Sequence, residues 1–465
     1  MSTPPFAIEA EYLTGWLTEQ RWFGSKARDL SGVNILEALE LRDGDEPLVL
    51  ALVEARFQAG THELYQLVLG ASQGGAGSDE DGDGDEGTIR QGDGWELHDA
   101  VTDARLVELL EQAGEVPGER GCVSFHRVEG APTLGPDPAI RPMGAEQSNS
   151  SLVLGEQQVL KVFRRLEAGD NPELEMLRFL TQAGFENIAK LDGWYEYSGD
   201  LMDATLGVLQ DLVPNAKDGW DLCLDALADG RGQEVIEQLR DLGAVTGRMH
   251  TALGSSLHPD FAAEEPSAES LSLLVATIDE QIERTFVDLP SGLDVLEPII
   301  GRQQEIRDRL QMMSHTGVGG RLIRQHGDYH LGQTLFAQDR WVILDFEGEP
   351  ARALLDRRRK RSPLRDVAGM LRSFAYASSA AVLLRDAQPA EGWEDAARAA
   401  FLDGYVEAVD PALLPAGQAA ISKQLGIFEL EKAVYELRYE IDNRPDWVKI
   451  PVAGIARLLQ EALPA

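Results

Sequence analysis

The chain has 465 residues and a formal net charge of −37, from 79 acidic against 42 basic residues, with 43% hydrophobic residues. So acidic a balance argues against nonspecific binding to nucleic acid or anionic lipid, and a chain of this length is expected to form roughly two to four structural units. Cys122 and Cys223 have no metal-ligand spacing, and neither a basic, apolar leader nor a run of about 20 apolar residues stands out, so a cytoplasmic protein without membrane spans is expected.

From the N-terminus, "IEAEYLTGWLTEQRWF" reads as an amphipathic helix, and "LVLALVEARF" and "ELYQLVLG" read as antiparallel strands. The acidic segment 71–87, "ASQGGAGSDEDGDGDEG", has almost nothing to bury and reads as a solvated loop. Asp79, Asp81, Asp83 and Gly84 match positions of a calcium-binding loop, but Arg90 stands where a bidentate Glu is needed and polar Glu86 fills the eighth position, so calcium is not expected. "DARLVELLEQAG" has one helical face, "SSLVLGEQQVLKVFRR" reads as two strands joined at Gly155-Glu156, and "NPELEMLRFLTQAG" as a helix with Pro172 in its first turn. "ATLGVLQDLVP" is a further strand, and beyond Asp218 the pattern is mostly helical, including "GLDVLEPIIGRQQEIRDRLQMM" and "LGIFELEKAVYELRYEI".

The helices are interrupted by "QHGDYHLGQ" and then "VILDFEGEP". Phosphoryl transfer needs a positioned base, oxygen ligands for magnesium and a cation on the phosphates. Asp328 and Gln333 are spaced like the loop Asp and magnesium-binding Asn of a protein kinase, and Asp345 follows an apolar strand as the second magnesium Asp does. Upstream, Lys161 lies in the strand "VLKVFRR", and Glu173 and Glu175 open the following helix, the arrangement that holds nucleotide phosphates. "AEQSNSS" stands where a glycine-rich phosphate cover would be; it lacks GxGxxG, so its backbone amides and the polar groups of Ser148, Asn149, Ser150 and Ser151 are the candidates. Taken singly, the HGD and DFE fragments read better as a capped turn and an ordinary strand end, and "AEQSNSS" equally well as a polar turn; their order reverses this and makes the kinase reading.

With "QRWFGSKAR", "AEQSNSS", "LKVFRR", "NPELE", "QHGDYHLGQ", "DFEGEP", "SPLRDVAGMLRSF", "LEKAVYE" and "NRPDWVKIP", the chain resembles the maltokinases, a branch of the aminoglycoside-phosphotransferase-like kinases, over nearly its whole length. The resemblance implies an α+β, bilobal protein-kinase-like fold: an N-terminal cap over 1–95, an intermediate nucleotide-binding lobe over 96–214 and a helical lobe over 215–465. It implies ATP and Mg2+ as cofactors, maltose as acceptor, and a possible partner enzyme in trehalose and glycogen metabolism. Residue by residue it makes Asp328 the base, Gln333 and Asp345 the magnesium ligands with Glu347 a third ligand or brace, and Lys161 with Glu175, preferred over Glu173, the phosphate pair. The backbone at Gln210 and Leu212 becomes the adenine hinge. The sequence departs from the family at Tyr329, where Leu or a similar residue is usual, and at the acidic insert.

Sugar sites combine carboxylates and amides with aromatic rings. Tyr329 and His330 beside the base, Arg372 and Tyr376, and the ladder Tyr435, Glu436, Arg444 and Trp447 are therefore the expected acceptor contacts, although each Tyr and Glu of the ladder reads equally as core or solvated face. The alternative acceptor is an amino sugar such as glucosamine, phosphorylated at its 6-hydroxyl, because Glu429, Glu431, Glu436 and Glu440 crowd one helix. A kinase-like binding module without catalysis is the reading of a different class.

Overall fold

The computed structural model describes residues 10–73, 88–92, 95–135, 138–144, 148–290, 292–314, 319–350 and 352–460. The calcium-like spacing at 79–86 and the first part of "AEQSNSS", 145–147, lie outside them. The chain divides into two compact units, Met1–Thr181 with Ala189–Pro214, and Gln182–Ile188 with Asn215–Ala465.

In the first unit, helix α1 (Ala10–Glu19) leads into β1 (Leu30–Arg42), β2 (Leu48–Phe57), β3 (His62–Gln73), β4 (Thr88–Gly92) and β5 (Trp95–Asp99), an antiparallel sheet in the order β1-β2-β3-β5-β4. Strand β2 reads as a continuous apolar run because both its faces are covered. Ala51, Val53, Ala55 and Phe57 pack with Leu13, Trp16, Leu17, Trp22 and Phe23, while Leu48, Leu50 and Leu52 point into the second core of the unit.

That second core lies against α2 (Ala104–Gln112), whose N-terminus is capped by the Asp103 side chain. It is shared with strands β6 (Glu115–Pro117), β7 (Gly121–Arg127), β8 (Ile140–Pro142), β9 (Ser150–Leu154) and β10 (Gln158–Val162). Then come β11 (Arg165–Leu166), helix α3 (Pro172–Gln182), β12 (Leu191–Gly199) and β13 (Asp203–Asp211), giving a seven-stranded sheet in the order β6-β7-β12-β13-β10-β9-β8. Strand β11 pairs instead with β3, joining the two sheets.

Two buried polar side chains reinforce this join. Gln66, fully buried on β3, donates its amide to the carbonyls of Phe163 and Leu206 and accepts from the Tyr195 hydroxyl at 3.2 Å. Arg164, 1% exposed, binds Asp99 with both terminal nitrogens, donates Nε to Ser150 Oγ at 2.8 Å, and lies 4.8 Å over the Trp22 ring.

The second unit is mainly helical: α4 (Gly219–Ala228), α5 (Ile236–Gly254), α6 (Ala268–Val287), α7 (Gln303–Ser314), α8 (Leu354–Arg357), α9 (Leu364–Arg385), α10 (Trp393–Ala408), α11 (Gln418–Asn443) and α12 (Lys449–Gln460). The single helix expected over "GLDVLEPIIGRQQEIRDRLQMM" is broken: a short 3-10 turn at Asp294–Leu296 precedes α7, with Pro298 and Gly301, at φ +76°, between them. Helix α9 is long and apolar enough to cross a membrane by length and composition, against the sequence expectation, but 61% of its apolar window is buried inside the protein and it carries the buried Asp366 and Arg372.

A small sheet of β14 (Lys217–Asp218), β15 (Thr334–Ala337) and β16 (Arg340–Ile343) is set among these helices. Its β15–β16 hairpin pairs Thr334 with Ile343, so Gln333 and the segment after Ile343 leave from the same end.

Replacing Gln66 by Leu strands two buried carbonyls and a tyrosine hydroxyl. Urea unfolding of the Gln66→Leu protein is expected to show a loss of about 2–4 kcal/mol, and a change below about 0.5 kcal/mol would contradict the bridging role.

Candidate active site

The first unit presents Lys161 from the centre of β10, where it is flanked by Ser151 of β9 and Val208 of β13. Its ammonium, 7% exposed as a residue, lies 3.7 Å from Glu173 Oε2. Glu173, which the sequence reading set second to Glu175, is thus within ion-pair distance of Lys161. Asn171 Oδ1 accepts from the Glu173 amide at 2.8 Å, with Pro172 in the first turn, and this cap fixes the helix so that Glu173 is buried while Glu175 is half-buried.

The β9–β10 connection passes through Gly155 and Glu156, both at positive φ, as the turn reading expected. Ser150 accepts from Arg164 and so serves the sheet join; Asn149 is buried and Ser148 is exposed just ahead of β9. The hinge expectation needs correction at Leu212: its amide donates to the Gln157 carbonyl at 2.8 Å because pairing continues past the end of β13, so that N–H is already committed. Gln210 is held in the sheet between Val159 and Leu191.

In the second unit the loop 325–333 hangs on one carboxylate. Asp366, 2% exposed near the start of α9, accepts the amides of His326 at 2.8 Å and Gly327 at 3.0 Å and faces His250 Nε2 at 3.1 Å, while His250 Nδ1 meets the Tyr405 hydroxyl at 3.0 Å. Burial pushes the Asp366 carboxyl up, but the hydrogen bond and charge from His250, with His326 and the Gly327 amide, outweigh it and hold the group below the usual carboxylate range. His326 Nε2 faces the Leu344 carbonyl at 2.8 Å, which can only accept, so Nε2 carries the proton and the ring ties the loop to the strand end that bears Asp345.

Gln333 Nε2 donates to Asp345 Oδ2 at 3.1 Å, which commits the amide nitrogen and leaves the carbonyl oxygen as the metal-binding end. Asp345 holds φ at +59°, a conformation that is costly outside glycine and concentrates at functional sites. Gln333, Asp345 and Glu347 offer only oxygen donors, and that set fits magnesium.

Asp328, with a side chain 26% exposed, opens onto a cavity. Lys432 Nζ of α11 is 3.8 Å from Asp328 Oδ1 and 3.3 Å from Glu349 Oε1. Burial opposes the charge of this lysine, yet the Glu349, Asp328 and Glu436 carboxylates raise it above the ordinary lysine value, making it a fixed cation beside Asp328. Glu349 is also paired with Arg352, and Glu431 accepts from Arg365 at 3.0 Å. His330 Nε2 lies 4.0 Å from Asp328 Oδ2, and its Nδ1 accepts from the Gly332 amide at 3.1 Å; burial, partly offset by Asp328, holds the imidazole below its usual value.

Of the expected acceptor contacts, Tyr329 and Tyr435 border this cavity. Tyr329 does so with its hydroxyl turned into the core, bonded to Thr246 Oγ1 at 2.8 Å, so it cannot grip an acceptor through that group. Arg372 and Glu436 form a buried ion pair at 2.7 Å, for which Gly454 leaves room: a Cβ there would lie 2.1 Å from Arg372 Nη1. Tyr376 donates to Glu440 at 3.0 Å and stacks on Trp447 at 6.1 Å, and Arg444 binds the same Glu440 at 2.6 and 2.8 Å. These five expected contacts are thus drawn into networks of α9, α11 and the chain after it, apart from the residues that line the cavity at Asp328. Sequence reasoning missed Arg352, just after "DFEGEP", and Arg365, within "SPLRDVAGMLRSF", and it gave no signal that Lys432 meets Asp328.

Residues 16–104 match the maltokinase N-terminal cap domain. The chain is 27% identical over 404 residues to a glucosamine kinase of Streptacidiphilus jiangxiensis, covering 82% of this chain and 85% of that protein. It is 23% identical to a glucosamine kinase of Mycolicibacterium smegmatis, covering 69% of this chain and 80% of that one. A solved glucosamine kinase in complex with glucosamine, ADP and inorganic phosphate shares the fold at TM-score 0.68 and 21% identity, over 96% of this chain and 99% of that one. The chain is a phosphotransferase that acts on a sugar hydroxyl, similar to the glucosamine kinases and, in its N-terminal region, to the maltokinases.

The depressed Asp366 carboxyl gives a stability contribution that is fully present above its unfolded value, near 3.9, and is lost as pH falls through the lower folded value. The Asp366→Asn protein is expected to be destabilised by about 2–4 kcal/mol at pH 7 and to show a flatter loss of stability below pH ~4 than wild type; equal stability at pH 7 in chemical denaturation would contradict the clamp.

Proposed function

We propose that the protein is an ATP-dependent kinase that phosphorylates the 6-hydroxyl of glucosamine or a close amino sugar. The observation that carries this reading is the similarity over 404 residues, 82% of the chain, to a glucosamine kinase. The cavity at Asp328 supports it, since Glu349 and Glu431 line it with the base. A carboxylate has several acceptor positions, so pairing with Arg352 or Arg365 orients these groups and still lets them attract an ammonium group.

In this reading Asp328 takes the proton from the attacking hydroxyl as the terminal phosphoryl group of ATP is transferred. Lys432 holds the base in place from one side and His330 borders it from the other. Gln333, Asp345 and Glu347 are the residues that would hold magnesium, which when bound neutralises phosphate oxygens. Lys161, kept in the sheet by Glu173, supplies a cation to the nucleotide phosphates. Residues 1–95 act as a cap, 96–214 as the nucleotide region and 215–465 as the lobe bearing base and acceptor.

Maltose is a second reading, favoured by the maltokinase cap domain at residues 16–104. In it the anomeric hydroxyl attacks, and the enzyme serves a route from trehalose to glycogen with a partner enzyme.

A sugar panel with ATP, followed by ADP release, separates these readings. Glucosamine is expected to stimulate turnover with maltose at background, and Asp328→Asn to lower kcat by about 10^2–10^4. Stimulation by maltose alone would transfer the proposal to the second reading, and no sugar-dependent release with ATP still bound would leave a non-catalytic binding module.

A further inference from the structure

A second cavity in the helical unit shares two wall residues, Arg365 and Phe428, with the cavity at Asp328. Most of its wall is apolar: Leu271 and Leu274 of α6, Met313 of α7, and Ile427 and Phe428 of α11. Into this apolar setting the chain places Arg361, whose backbone is pinned by reciprocal hydrogen bonds with Ile323, both 2.9 Å.

The neighbours of Arg361 are already matched. Arg365 holds Glu431, Arg352 and Lys432 share Glu349, and Lys360 binds Glu264 and the Pro259 carbonyl at 2.6 Å each. Arg361 is left over: among the described residues its guanidinium has no hydrogen-bond or ion-pair partner. Partial burial together with the positive charges of Arg365 and Arg352 pushes it down to about 10, the behaviour of a cation short of an anion. In a chain of net charge −37, a half-buried guanidinium that Glu431 and Asp356 reach only through charge, without a hydrogen bond or ion pair among the described residues, is an unusual arrangement, and a half-buried cation is costly unless an anion joins it.

We propose that this cavity binds a small organic anion, a carboxylate or phosphate ester with a compact apolar body, whose charged group pairs with Arg361 while the body packs on Leu271, Leu274 and Phe428. A guanidinium supplies a planar fork of donors suited to either oxyanion, and the apolar wall selects against the bare inorganic ion. The site adjoins the cavity at Asp328 through Arg365 and Phe428 but does not rest on the choice of sugar.

The test is calorimetric titration of the full-length protein, with ADP, magnesium and glucosamine present at saturation, using benzoate, phenyl phosphate, benzyl alcohol and inorganic phosphate as probes. Benzoate or phenyl phosphate is expected to bind, and to weaken by at least about tenfold in Arg361→Gln, as loss of a charge-assisted hydrogen bond implies. Ala420→Trp, which narrows the cavity without removing the guanidinium, is expected to weaken both probes as well, and Asp328→Asn to leave them unchanged. Benzoate against phenyl phosphate distinguishes the carboxylate from the phosphate ester. Absence of binding by both anions, equal binding of benzyl alcohol or inorganic phosphate, or unchanged affinity in both cavity variants would overturn the proposal.

Discussion

The loop that carries Asp328 depends on one buried carboxylate. Asp366 accepts two consecutive loop amides and faces His250, so the backbone at His326 and Gly327 has no freedom to wander. Gly327 takes φ +88° at the bend, where a side chain would be strained. From that fixed point the rest follows: Asp328 is turned toward its cavity, His326 reaches the Leu344 carbonyl, and the β15–β16 hairpin returns Asp345 to Gln333. A base and a set of metal ligands that must be placed to fractions of an ångström are better hung from a buried helix than from a free loop.

The same economy governs the first unit. Several residues that made the sequence look familiar hold sheets together. Ser25 and Arg28 of "QRWFGSKAR" bind Glu63, which also accepts from Tyr65, and Arg164 of "LKVFRR" ties Asp99 to Ser150. Together with Gln66 they make the cap and the nucleotide-side sheet one compact body. The position of Lys161 is thus set from both sides of its strand before any nucleotide binds.

Much of this was legible in the sequence because it was written in local pattern. The strands of the cap, the Gly155-Glu156 turn, the Pro172 helix start and the HGD loop followed by an apolar strand all announce themselves by period, turn residues or spacing. What the sequence withheld depends on rotation and burial. Glu173 and Glu175 differ by two positions on one helix, and the burial of Glu173 within 3.7 Å of Lys161 is set by how that helix is turned. Arg372, Glu436, Tyr376 and Trp447 have the chemistry of a sugar site, yet long-range packing closes them on one another. The Leu212 amide was lost to a pairing that ran past the strand end. Lys432 beside Asp328 joins positions more than one hundred residues apart, and no periodicity reports such a pair.

The central claim is that the cavity around Asp328, Glu349 and Glu431 takes an amino sugar and phosphorylates its primary hydroxyl. Proton-coupled phosphorus NMR of the product made from ATP and glucosamine tests this most directly. The account predicts a phosphomonoester resonance split into a triplet by the two protons at C6; a doublet from a single anomeric proton, or no sugar phosphate from glucosamine alongside product from maltose, would contradict it.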